Sequence, residues 1–107
     1  MYGKQAPTKI MSKLRQFLAE MPQWITKIRE AIAATAHHEI AKEAHSFKSM
    51  AGYVGGIELA QVCNTLEQEA RQQSSAQYAN LDQCLVHESE RLSLSLEAEI
   101  VALLDHE

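Results

Sequence analysis

The stretch Glu43-Ala44-His45-Ser46-Phe47-Lys48-Ser49-Met50-Ala51-Gly52-Tyr53-Val54-Gly55-Gly56 decides the fold. Read at 3.6 residues per turn, Ile40, Ala44, Phe47, Ala51 and Val54 fall on one side, at i, i+4, i+7, i+11 and i+14. That is the core stripe of a helix. His45 points about 100° away from the stripe, and Lys48 lies one turn further along on the side of His45. Ala41, Ser49 and Gly52 occupy the other positions beside them, and all three are small. The pattern predicts a histidine and a lysine open to the outside on an otherwise bare surface. Gly52 inside a helix costs roughly 1 kcal/mol relative to alanine. Its presence predicts a close approach, either by a neighbouring helix or by another protein.

Working outward, Gly55-Gly56 ends this helix and turns the chain. A further helix is predicted over about 56–72, with Leu59, Cys63, Leu66 and Ala70 inward. Gln73-Ser74-Ser75 is a short polar connection. The last helix, about 76–105, carries Leu81, Leu85, Leu92, Leu96, Ile100 and Leu103, interrupted by Ser89. On the N-terminal side, residues 1–7 read as a loose lead-in. Thr8 suits an N-cap for a short helix to about Glu20, with Ile10, Leu14, Phe17 and Leu18 apolar and Met11 beside them. Pro22 breaks that helix and suits the first turn of the next, about 22–34, which buries Trp24 or Ile25, Ile28 and Ile32. Thr35 is placed to cap the His45 helix. No segment alternates as a strand does. Short connections set successive helices antiparallel, so the expected fold is an all-α, up-down-up-down four-helix bundle with a short extra N-terminal helix as a lid across one end.

Bulk properties narrow the function. The 107 residues suffice for one domain, taken as 1–107, with a modest core. A net charge of -4 argues against a general nucleic-acid binder. Cys63 and Cys84 are far apart and fall at or beside helical apolar positions, which predicts buried, reduced thiols rather than a disulfide. No apolar run approaches the roughly 20 residues of a membrane span, and no secretory segment follows Met1. The expected location is the cytoplasm. The apolar stripes can be consumed within one bundle, which predicts a monomer.

Antiparallel packing locates a partner for His45. From His45 to Tyr53 the chain climbs about 12 Å at 1.5 Å per residue, and after the turn it regains the same height near residues 64–67. Glu67 flanks the inward Leu66, so its carboxylate is placed to accept a bond from the His45 ring N–H and fix the tautomer. Arg71 is one turn from Glu67 and can pair with it. The same spacing also suits a solvated Glu67–Arg71 ion pair, and both readings stand at this point. A neutral imidazole is a nucleophile that can attack an acyl phosphate. Lys48 would then offset charge on the phosphoryl group. Lys42, near the site, adds positive potential for an acidic partner or is simply solvated. The adjacent His37 and His38 diverge by about 100°, a poor arrangement for joint metal ligation, and no metal site is expected. His87 and His106 read as surface residues.

The run Ala44-His45-x-x-Lys48-x-x-Ala51-Gly52-x-x-Gly55 resembles the histidine-containing phosphotransfer (HPt) domain of phosphorelays. Ser49 stands where that family usually has glycine. The resemblance continues through Leu59, Cys63, Leu66 and Glu67. It implies a helical bundle in which His45 accepts a phosphoryl group from a receiver-domain aspartate and passes it to another response-regulator receiver. A hybrid sensor kinase receiver would be the donor. Ala41, Lys42, Ser49 and Gly52 would meet the receiver. Nothing in the sequence resembles an ATP-binding loop, so autonomous kinase activity is not expected and Mg²⁺ would sit on the receiver, with no cofactor on this chain. The alternative is a non-catalytic helical adaptor, which would need the amphipathic stripes but neither His45 nor Lys48.

Overall fold

The computed structural model describes residues 7–105. Four helices follow one another: α1 Pro7–Ala33, α2 His37–Tyr53, α3 Ile57–Arg71 and α4 Tyr78–Leu104. There is no strand among the described residues. α1 packs on α2 and α4, and α3 packs on α2 and α4. Short connections and this closed ring of neighbours give the up-down-up-down bundle. It is elongated, 49 × 21 × 19 Å.

The separate N-terminal helix does not exist. Residues 8–20 are the first half of α1, which runs through Pro22 to Ala33 and lies along α2 and α4 rather than across an end. Thr8 is therefore inside a helix, not its cap; residues 1–6 of the expected lead-in lie outside the described residues. A proline inside a helix removes one backbone bond and costs about 3 kcal/mol. Two features offset that cost. Pro22 is exposed, so its ring takes no space from the core. The apolar row Leu14, Phe17, Met21 and Ile28 is buried on both sides of it. Burying a large apolar side chain contributes about 1.5–3 kcal/mol, so two such residues suffice to carry the helix across the proline.

The other three helices end within two residues of their expected limits. Phe47, fully buried, is sandwiched between Phe17 at 6.0 Å and Trp24 at 6.1 Å between ring centroids, both stacked within 6°. This ties both halves of α1 to α2. Ser89 is buried in the α4 stripe, and its hydroxyl donates to the Leu85 carbonyl at 2.6 Å, so the interruption is satisfied.

Helices α1, α2 and α3 each stop in the same way. After α1, Ala36 N–H donates to Ala31 O at 2.9 Å and Thr35 N–H to Ile32 O at 3.0 Å. After α2, the bonds are Gly56 to Ala51 at 2.8 Å and Gly55 to Gly52 at 3.1 Å; after α3, Ser74 to Glu69 at 2.9 Å and Gln73 to Ala70 at 3.0 Å. These are Schellman motifs, each with one residue in the left-handed region: Thr35 at φ 51°, Gly55 at φ 84° and Gln73 at φ 55°. Thr35 thus terminates α1 instead of capping α2. The N-cap of α2 is Ala36, which makes no side-chain capping bond. The close approach assigned to Gly52 from within the bundle is absent, since a Cβ there would meet nothing within 4 Å. Gly56 is the tight position: a Cβ would sit 2.7 Å from Leu92 Cδ2, so α4 closes against the α2–α3 turn.

Candidate functional site

The site is built across the α2–α3 interface. Leu66 and Ala70 hold α3 in the core, and Glu67, next to Leu66, is carried inward with it to 6 % exposure. From α2, His45 and Lys48 project toward the same place because Ala44 and Phe47 anchor the opposite flank of that helix. The Glu67 carboxylate then collects every donor within reach. Its Oε2 accepts from His45 Nδ1 at 3.0 Å and from Arg71 Nε and Nη2 at 3.1 and 2.6 Å. Its Oε1 accepts from Lys48 Nζ at 2.8 Å. Lys48 Nζ also donates to Asn64 Oδ1 at 3.2 Å.

Burial alone would raise the Glu67 pKa. Hydrogen bonds from Lys48 and Arg71, the Lys48 charge and the His45 bond outweigh burial and bring it down to about 2. At neutral pH the carboxylate is ionised and can only accept. The proton of the shared bond therefore belongs to His45 Nδ1, and in the neutral ring Nε2 carries the lone pair. The His45 side chain is 58 % exposed, and among the described residues Nε2 makes no hydrogen bond. An oriented imidazole with a free nucleophilic nitrogen facing solvent is the chemical content of the site.

Of the residues expected here, His45, Lys48, Glu67 and Arg71 come together. The solvated-pair reading of Glu67 and Arg71 is excluded by the burial of Glu67, although the Arg71 side chain itself stays 63 % exposed. Lys42, Ser49 and Gly52 are exposed on α2. Ala41 is not; it is 8 % exposed and belongs to the core. At 100° per residue, a step of four leaves Ala41 about 40° nearer the core stripe than His45, and that rotation puts it under the neighbouring helices. Asn64 was not anticipated. It lies at the height where the chain returns to His45, but a single asparagine on a helix flank carries no signal of its own. Ser49 also borders an apolar groove of about 350 Å³ between α1 and α2, with Phe17, Met50, Tyr53, Val54 and Lys13 among its lining residues.

The remaining candidates fall elsewhere. His37 Nδ1 lies 2.8 Å from Tyr78 Oη, and His38 is exposed. His87 is exposed, and His106 lies outside the described residues. Among the described residues no three His, Cys, Asp or Glu side chains gather closely enough to hold a metal ion. Both cysteines are free; Cys63 is buried, which pushes its thiol up to about 12 despite the nearby Lys48 charge, and Cys84 is half-buried. Among the described residues no helix is long and apolar enough to cross a membrane.

Comparison with known families matches residues 13–106 to the family described as Hpt domain. Neither the curated proteins nor the solved structures contain a match to the chain. The family match spans most of the sequence, and the chain belongs to the Hpt domain family. Hpt domains are the histidine-containing phosphotransfer modules of two-component phosphorelays; they work with response-regulator receivers and are not kinases.

Proposed function

We propose that this member of the Hpt domain family uses His45 Nε2 as its phosphoryl acceptor, taking the group from one receiver aspartate and passing it to another. The observation that carries this reading is the bond from His45 Nδ1 to the buried, ionised Glu67, which leaves Nε2 as the lone-pair nitrogen on an open face. In the forward step Nε2 attacks phosphorus, the bond from phosphorus to the aspartyl oxygen breaks, and a free carboxylate leaves. The Nδ1 proton stays where it is.

Lys48 offsets the incoming charge. Its ammonium is held on Glu67 Oε1, the oxygen that does not hold His45, so it can turn toward a phosphoryl group without disturbing the ring. Lys42, Ser49 and Gly52 form the docking face, which ends at the apolar groove beside Ser49. The Mg²⁺ that receiver chemistry requires would be brought by the receiver. We place the protein in the cytoplasm as a monomer.

The test is label transfer from a phosphorylated receiver to wild type and to His45→Gln, with folding checked by circular dichroism. Acid-labile, base-stable label on wild type and none on the folded variant is expected. Equal labelling of both would remove His45 as the acceptor.

A further inference from the structure

Resting on His45 as the acceptor, we infer that Glu67 is also a positioning residue for onward transfer: it keeps Nδ1 protonated while the phosphoryl group is on Nε2, so that the group departs from a neutral imidazole. The chemistry turns on what Nε2 becomes when the bond to phosphorus breaks. With Nδ1 protonated, the electron pair returns to Nε2 and a neutral ring is left; the phosphoryl group forms a new bond to the receiver carboxylate or to water. With Nδ1 deprotonated, the leaving group would be an imidazolate, which is far more basic and leaves slowly.

The structure has the parts this requires. While the phosphorylated ring keeps its Nδ1 proton it carries a positive charge, and a carboxylate 3.0 Å from Nδ1 favours that form. Glu67 is itself held anionic by Lys48 at 2.8 Å and Arg71 at 2.6 Å, so it does not take the proton away. Lys48 occupies Oε1 and Arg71 shares Oε2, which leaves the His45 bond independent of any swing of Lys48 toward phosphate. The charged groups joined in this network are Lys48 from α2 and Glu67 and Arg71 from α3; among the described residues no hydrogen bond or ion pair links α1 to it. Glu67 sits on α3 and His45 on α2, so the contact is set by helix packing and not by the flexibility of one side chain.

The experiment uses the full chain phosphorylated by a small phosphoramidate donor. Loss of the phosphoryl group is followed from pH 6 to pH 10 in wild type and Glu67→Gln, with nitrogen-15 NMR of the imidazole reporting Nδ1 protonation. Glutamine can still accept the Nδ1 bond but lacks the charge. A charged acceptor exceeds a neutral one by about one decade, using about 1.4 kcal/mol per pKa unit. The pH at which lability falls should therefore lie about one unit lower in Glu67→Gln, and its phosphohistidine should persist about tenfold longer on the alkaline side. Glu67→Ala, which removes the acceptor entirely, should shift further in the same direction. Coincident profiles and coincident Nδ1 signals in all three proteins would overturn this inference alone. Absence of label on folded wild type would overturn the acceptor assignment as well.

Discussion

His37 and His45 stand on the same helix, and each meets a buried side chain of another helix through Nδ1: Tyr78 at 2.8 Å for His37, Glu67 at 3.0 Å for His45. The difference is in the partner. Tyr78 is a neutral phenol whose titration is pushed up by burial and by Glu69. A hydroxyl can donate or accept, so it leaves the His37 tautomer open. Glu67 can only accept, and it brings two cations with it. The rings also differ in access, since His37 is half-buried and the His45 side chain is 58 % exposed. A bond across a helix interface is thus not enough by itself to mark a histidine as the proposed phosphoryl acceptor. An acceptor-only partner, nearby cations and an open Nε2 are what set His45 apart.

The largest effect is expected at the two histidines themselves. His45→Gln should abolish phosphoryl acceptance, whereas His37→Gln should retain it at the wild-type level. Label transfer from one phosphorylated receiver to both variants measures this, and acceptance lost only in His37→Gln would reverse the assignment. The next effect separates nucleophile from cation. Lys48→Ala keeps the oriented ring but loses a charge-assisted contact of about 1.5–3 kcal/mol. The transfer rate should fall roughly ten- to a hundredfold at about 1.4 kcal/mol per decade. Raised ionic strength should narrow the gap, because the Lys48 side chain is partly exposed and such charges are screened over about 8 Å.

The Glu67 partnership should also be visible in stability. Its folded pKa, about 2, lies below the ordinary value of 4.5. A depressed folded pKa contributes stability that is present above the unfolded value and is lost as pH falls through the window from 4.5 toward 2. At about 1.4 kcal/mol per pKa unit, that shift sets an upper limit of about 3 kcal/mol on the contribution. Urea unfolding of wild type and Glu67→Gln should therefore differ most above pH 5 and converge as pH drops through that window. A constant difference across it would mean that the carboxylate charge adds nothing to folding.

The smallest effect concerns the turns at either end of α2. Gly55 takes φ 84° without strain, but Thr35 holds φ 51° with a branched side chain. Thr35→Gly should stabilise the fold by about 0.5–1 kcal/mol after the added freedom of the unfolded chain is subtracted. Thermal unfolding would show it, and phosphoryl acceptance should be unchanged.

These same turns show where sequence reading stops. The Gly55 turn was legible because glycine is the residue that a left-handed position favours. Thr35 and Gln73 fill equivalent positions with residue types that give no such signal. The helices carrying Phe47, Leu66 and Leu85 were legible because periodic apolar rows report burial directly. Pro22 misled because local propensity favours a break there, while the burial of Phe17, Met21 and Ile28 on either side outweighs it. In the site, helix rise and antiparallel pairing placed Glu67 at the height of His45 and Lys48, but left a solvated pair with Arg71 equally open. Asn64 gave no signal of its own, and Ala41 was assigned to the outer face although the helical period already sets it about 40° nearer the core stripe than His45.

Because Glu67 holds Nδ1, the proposed function requires the phosphoryl group to go to Nε2 of His45. After transfer from a phosphorylated receiver, the modified residue can be mapped by mass spectrometry and the modified nitrogen read from the imidazole proton, nitrogen-15 and phosphorus-31 couplings. The expected product carries a single phosphoryl group, on His45, bonded to Nε2 with Nδ1 still protonated. A phosphoryl group on His45 Nδ1, or on His37, His38 or His87, would contradict it.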